Sequence, residues 1–148
     1  MTDTGRVALV KTDYSGNIIW TAGIGLSPLK ASAAYTQQEI GVDPDDGSVY
    51  ISAQFRNTQG EFSISGTNYN LKVLADGSGL AWGYRSSLTE LEYYGGGVVF
   101  DHVTGEHVFF ISHKDNKKDL NQESFVVVRK ANRTDGSEVF YKGYTESK

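Results

Sequence analysis

The chain has 148 residues, a formal net charge of −4, 17 glycines, only 2 prolines and no cysteine. This length suits one domain, and the acidic balance argues against nucleic acid or an acidic membrane surface as a partner. The absence of cysteine excludes disulfides and thiolate metal ligands. No apolar run approaches the about 18 residues of a membrane-spanning helix, so membrane insertion is not expected.

The first predicted element is a β-hairpin. Two apolar runs, residues 7–10 and 18–20, flank the turn Asp13-Tyr14-Ser15-Gly16-Asn17. β-branched and aromatic residues on both sides of a turn whose Gly and Asn tolerate positive φ are typical of this structure. Residues 27–36, which contain Pro28, are predicted to form a connecting loop, with one helical turn over residues 29–35 as an alternative.

Four more hairpin-like segments follow, each with a turn that contains Asp or Asn together with Gly. The predicted strand pairs are residues 38–42 with 49–54, 69–74 with 80–84, 98–101 with 108–113, and 125–130 with 138–144. The predicted connections between them are residues 56–66, which could hold a short strand at 61–64, residues 86–94, and residues 113–123.

Two kinds of hairpin alternate and recur at a spacing of about sixty residues. Asp43 and Asp101, which open corresponding turns, lie 58 positions apart, and Trp20 and Trp82 lie 62 positions apart. Repeats of this size are typical of stacked or radial β-architectures. Trp20, Trp82 and Tyr141 are predicted to occupy one repeated packing position between units rather than to stack on sugars.

The repeat predicts an all-β chain of about ten strands in the order c-d, a-b-c-d, a-b-c-d. This order corresponds to about two and a half four-stranded antiparallel β-propeller blades in an incomplete ring, all within one segment, residues 1–148. The half blade is residues 5–26, and the two full blades are residues 38–86 and 95–145. A sandwich of two packed sheets is the alternative fold.

The repeats resemble a known family. VALVKTDYSGNIIWTAGIG, YNLKVLADGSGLAWGYR and FVVVRKANRTDGSEVFYKGYT are similar to one half of the bacterial β-propeller repeats of the SBBP type, and VDPDDGSVYISA and FDHVTGEHVFFISH resemble the other half. The resemblance implies rings of several blades in extracellular or cell-surface proteins, without common catalytic residues. The chain departs from the family at Ala53-Gln54 and His113-Lys114, where glycine is common.

Candidate site residues are few. No catalytic residue, cofactor site or metal site is predicted: His102, His107 and His113 share one hairpin, but three or four converging zinc ligands are not evident. Asp43, Asp45 and Asp46 fit turn chemistry better than a calcium loop. Asn132 begins the N-glycosylation sequence Asn-Arg-Thr. Tyr93 and Tyr94, placed on a predicted connection, are the candidate contact surface for a ligand or partner.

The predicted function is that of a non-catalytic β-propeller module, a structural or protein-interaction scaffold. Its partner would be protein, either the rest of a longer chain or further copies of itself, because an incomplete ring leaves sheet faces and strand edges uncovered. Two alternatives stay open. One is a glycan-binding propeller lectin, and the other is a segment of a propeller enzyme such as a quinone dehydrogenase.

Overall fold

A computed structural model of the protein describes residues 4–30, 38–57, 65–85, 92–115 and 125–145. These residues form ten β-strands. No helix long and apolar enough to cross a membrane occurs in these ranges. The strands are β1 (Thr4–Thr12), β2 (Ile18–Lys30), β3 (Gln38–Val42), β4 (Val49–Asn57), β5 (Ser65–Val73), β6 (Leu80–Arg85), β7 (Glu92–Phe100), β8 (His107–Asp115), β9 (Phe125–Asn132) and β10 (Glu138–Thr145).

The strands form three antiparallel sheets. Sheet 1 pairs β1 with β2, sheet 2 has the order β3-β4-β5-β6, and sheet 3 has the order β7-β8-β9-β10. In every sheet, strands that are consecutive in the chain are neighbours. The all-β prediction is confirmed, with ten strands in antiparallel sheets, and the described residues do not close a ring.

Five tight turns join the strands at one end of the sheets. In each of them a glycine adopts a positive φ that other residues rarely adopt, for example 84° at Gly16, 73° at Gly77 and 73° at Gly136. An aspartate side chain supports each turn; Asp13 Oδ1, for example, accepts hydrogen bonds from the main-chain N–H groups of Ser15 and Asn17. These turns lie together in space, and we call this end of the sheets the turn rim.

Several strands extend further from the turn rim than the sequence predicts. β2 continues through residues 27–30, β4 ends at Asn57, β5 begins at Ser65, β7 begins at Glu92 and β8 ends at Asp115, so the predicted connections are too long. The extensions are polar or glycine-rich, but backbone pairing needs no apolar side chain, as the pair of Asn57 and Ser65 illustrates. The predictions for residues 31–36 and 61–64 lie outside the described residues.

The three sheets stack so that sheet 2 is covered on both faces. One cluster of buried side chains lies between sheets 1 and 2: Ile24, Val49, Ile51, Ala53, Tyr69, Leu71 and Val73, with Leu9 and Trp20 packed against it. A second lies between sheets 2 and 3: Tyr50, Val108, Phe110 and Ala131, with Trp82, Val98 and Phe100. Because successive side chains alternate between faces, neighbouring residues such as Val49 and Tyr50 belong to different clusters.

Candidate interaction surfaces

The contact between sheets 1 and 2 centres on Trp20. Its indole covers the β5–β6 turn so closely that a Cβ built on Gly77 would lie 2.6 Å from Trp20 Cδ2. Trp20 Nε1 donates a hydrogen bond of 3.1 Å to the carbonyl oxygen of Ala75 in the same turn. Sheet 1 has two described strands and does not reach across all of sheet 2, since Ile40 and Val42 on β3 remain 59% and 60% exposed.

The contact between sheets 2 and 3 repeats this arrangement at Trp82. A Cβ on Gly136, in the β9–β10 turn, would lie 2.6 Å from Trp82 Cδ2, and Trp82 Nε1 donates a hydrogen bond of 3.2 Å to the carbonyl oxygen of Arg133. Here β3 takes part as well: a Cβ on Gly41 would lie 3.1 Å from Val98 Cγ1. In both contacts, therefore, a tryptophan of one sheet packs on a turn of the next sheet and holds the two sheets together.

An aromatic cluster fills the space beneath Trp82. The fully buried ring of Tyr50 has edge contacts with Phe100 at 5.2 Å and with Trp82 at 5.7 Å between centroids. Trp82 also has an edge contact with Phe110 at 6.0 Å. Edge-to-face pairs of this kind stabilise a core beyond the area they bury.

Arg133 ties three turns together at the turn rim. Its carbonyl oxygen accepts hydrogen bonds from Tyr50 Oη at 3.3 Å and Lys72 Nζ at 3.2 Å, besides the one from Trp82. Its guanidinium donates to the fully buried carboxylate of Asp43, to Asp45 Oδ2 at 3.1 Å and to the carbonyl oxygen of Gly105 at 2.7 Å. Burial works to lower the pKa of Arg133, but the bonds to both carboxylates outweigh it and raise that pKa.

The pairing register corrects the predicted third member of the aromatic series. Lys11 pairs with Trp20 and Lys72 with Trp82, and the equivalent pair in sheet 3 is Lys130 with Phe140. Tyr141 pairs with Arg129, which packs toward sheet 2 with its guanidinium 4.0 Å from the Tyr84 ring centroid. Tyr141 therefore lies on the opposite face from the one predicted.

The face of sheet 3 that points away from sheet 2, here called the front face of sheet 3, is rich in apolar side chains. Phe140 and Phe109 lie on it with ring centroids 6.5 Å apart, and the ammonium groups of Lys142 and Lys130 lie 5.6 and 5.4 Å from those rings. By register the same face carries Val99, Ile111, Val126, Val128 and Tyr144. Val99, Val126 and Tyr144 are 47%, 42% and 51% exposed.

Sheet 1 has the complementary feature on the face that points away from sheet 2, here called the back face of sheet 1. The register places Ala8, Val10 and Ile18 there, and Val10 and Ile18 are 58% and 65% exposed. The turn beside this face also differs from its equivalents, since a Cβ on Gly16 would meet nothing within 4 Å. No indole covers this turn as Trp20 and Trp82 cover the other two.

The predicted contact residues Tyr93 and Tyr94 lie in β7, where their backbones pair with Lys114 and His113. The prediction that they occupy a connection is therefore wrong, because backbone pairing extends past the glycine run to Glu92. Whether they contact a ligand or partner stays a prediction, since their side chains lie outside the described part of the structure.

Asn132 ends β9 and begins the β9–β10 turn, where its Oδ1 accepts a hydrogen bond of 2.9 Å from the Thr134 N–H. In the β7–β8 turn, His107 Nδ1 lies 3.4 Å from Asp101 Oδ2. Hydrogen bonds, led by the Thr104 hydroxyl, hold the pKa of Asp101 well below its usual range. Across the described ranges, no three His, Asp or Glu side chains are placed to hold a metal ion.

An open groove of about 410 Å³ runs between sheets 1 and 2, lined by Thr21, Ala22, Gly23, Ile24, Val73, Gly77, Ser78, Gly79 and Leu80. Its lining is made of small and aliphatic residues without a charged side chain. It therefore offers little chemistry for catalysis or for specific recognition of a polar ligand.

Neither a family model nor a curated protein nor a solved structure matches the chain. The resemblance to SBBP-type repeats therefore stays a prediction from the sequence.

Proposed function

We propose that this protein is a non-catalytic β-propeller module that works as a structural or protein-interaction scaffold, either within a larger propeller or as a self-assembling subunit. The observation that carries the proposal is the repeated contact in which an aromatic residue of one sheet docks on the turn of the next. The extracellular or cell-surface location that the sequence resemblance implies belongs to the same proposal.

The order of the sheets supports this function. Sheet 1 docks on sheet 2 and sheet 2 docks on sheet 3, each through a tryptophan, a turn glycine and a turn carbonyl group. A contact that repeats in one direction can be extended by further units, as in repeat proteins whose stability comes from interfaces between neighbours.

The front face of sheet 3 also supports it. Its Phe109, Lys130 and Phe140 correspond by register to Tyr50, Lys72 and Trp82, which sheet 3 covers on sheet 2. The surrounding residues Ile111 and Val128 are more apolar than their equivalents on sheet 2, Ser52 and Asn70. An exposed apolar face of this kind marks an interaction surface.

A tandem protein tests the proposal. Residues 1–145 followed by a second copy of residues 86–145 would present an additional unit to the front face of sheet 3. We expect the added unit to dock, so that acylation of Lys130 in the first copy slows and unfolding remains one cooperative transition. The measurements are mass-spectrometric lysine footprinting and thermal denaturation followed by circular dichroism.

The matched control carries Phe140→Asp in the first copy alone, which puts a charge where the added unit would dock. We expect this variant to restore rapid acylation of Lys130. A tandem protein whose Lys130 reacts as fast as in the original chain, or whose added unit unfolds separately, would contradict the proposed modular stacking.

A further inference from the structure

We infer that the front face of sheet 3 docks on the back face of sheet 1 of a second copy of this chain, so that copies associate head to tail. The inference rests on the proposed function and names the partner of the same surface. It assigns Phe140 and Lys130 to the surface that docks, here called the donor surface. Val10 and the Gly16 turn belong to the surface that receives it, here called the acceptor surface.

The first step in the argument is that both halves of the contact occur on one chain. The donor half is an aromatic residue paired with a lysine, as in Trp20 with Lys11 and Trp82 with Lys72. The acceptor half is a glycine turn at positive φ beside an apolar sheet face. Phe140 with Lys130 repeats the donor, and Gly16 with Val10 and Ile18 repeats the acceptor.

The second step concerns hydrogen bonding across the contact. Lys72 Nζ reaches the carbonyl oxygen of Arg133 in the next sheet at 3.2 Å. Lys130 is the equivalent of Lys72, because it pairs with Phe140 as Lys72 pairs with Trp82. Tyr14 is the equivalent of Arg133, because both residues come second in their hydrogen-bonded turns, after Asp13 and Asn132. In the assembly, Lys130 therefore donates to the carbonyl oxygen of Tyr14 in the second copy. The side chain of Phe140 has no N–H to donate, so it contributes ring packing alone.

The third step is the symmetry that follows. The donor and acceptor surfaces lie at opposite ends of the stack of sheets, so the contact is heterologous. Each added copy leaves one donor and one acceptor surface uncovered, and association continues into rings or open chains. The mass in solution should therefore rise in multiples of 16.2 kDa as the protein is concentrated.

The test is sedimentation analysis of the full chain from micromolar to millimolar concentration, with three variants. Phe140→Asp removes the donor surface and Val10→Asp removes the acceptor surface, and each should raise the dissociation constant more than about tenfold. Ile40→Asp is the matched control, because Ile40 is 59% exposed on β3 of sheet 2, which carries neither surface. It should associate like the original chain.

A mixture of the Phe140→Asp and Val10→Asp chains gives the decisive result. Each retains the surface that the other has lost, so the mixture should form one complex of twice 16.2 kDa and nothing larger. An original chain that stays monomeric throughout, a mixture that stays monomeric, or an Ile40→Asp chain that loses association equally would overturn the inference.

Lysine footprinting of the original chain gives a second readout that does not depend on the folding of any variant. Acylation of Lys130 should slow as the concentration rises, and an unchanged rate would count against the inference. A monomeric original chain together with a docked tandem protein would refute self-association alone. An undocked tandem protein would refute the proposed function itself.

Discussion

The two contacts between sheets use the same tryptophan but differ in what surrounds it. Trp20 docks on a turn in which Ala75 offers only its carbonyl oxygen, and strand β3, at the other edge of sheet 2, stays largely exposed. Trp82 docks on a turn in which Arg133 also reaches the β3–β4 and β7–β8 turns. The comparison shows that the indole and the glycine turn set the position of one sheet on the next. Burial of the whole face between two sheets also requires the first two strands of a four-stranded sheet, which sheet 1 does not have among the described residues.

The largest expected effect is at the indoles. Trp82→Ala should lower the free energy of unfolding by about 3–5 kcal/mol, as for other large aromatic residues removed from a core. Trp20→Ala should cost about 1–3 kcal/mol less, because Trp82 also has two edge contacts, to Tyr50 and Phe110, each worth about 0.5–1.5 kcal/mol. Chemical denaturation measures both, and equal losses would show that the two contacts do not differ as described.

Arg133 is next. Arg133→Met leaves the fully buried carboxylate of Asp43 without its cation, so we expect a loss of about 3 kcal/mol. Adding Asp43→Asn should recover part of this loss, and a double-mutant cycle measures the coupling. Asp45→Asn, at a carboxylate that is 70% exposed, is the control and should change stability by less than about 0.5 kcal/mol. Additive effects of Arg133→Met and Asp43→Asn would rule out the coupling.

The turn glycines give the smallest and most closely matched test. Gly136→Ala should cost about 2–3 kcal/mol, since it adds displacement of the Trp82 ring to the strain of a positive φ. Gly16→Ala has the strain but no ring to displace and should cost about 1 kcal/mol in dilute solution. Thermal denaturation at low concentration measures the pair; a larger loss at Gly16 would mean that its turn is covered even in the monomer.

The hairpins and their grouping into sheets could be predicted because alternation and turn chemistry are both local and both strong near the turn rim. The far ends of the strands could not, because the pairing there relies on backbone hydrogen bonds between residues such as Arg56 and Gly66, which carry no alternation. The position of Phe140 was missed because Gly136 follows the first residue of its turn, Asn132, by four positions, whereas Gly77 follows Leu74 by three. Aligning the two glycines therefore shifts the second strand by one residue and selects Tyr141 instead of Phe140.

The contacts of Arg133 could not be predicted from the sequence, for a different reason. Arg133 and Asp43 lie 90 positions apart, and neither belongs to a repeated motif that pairs them. The equivalent of Arg133 in the preceding unit is Ala75, so comparison of the repeats conceals the guanidinium rather than revealing it. A signal was present only in the acidic turn itself, which has three aspartates, Asp43, Asp45 and Asp46, and no cation nearby in the chain.

The gathering of all five tight turns at one rim has a consequence for the ancestry of such a chain. A duplicated gene segment whose two ends both lie at the rim away from the turns contains complete hairpins, with their aromatic residue, lysine and turn glycine. An insertion within a turn would instead disturb the glycine on which an indole docks. Natural variation in length should therefore accumulate at the rim away from the turns. Duplication of units about sixty residues long is then the least disruptive way for the gene to grow.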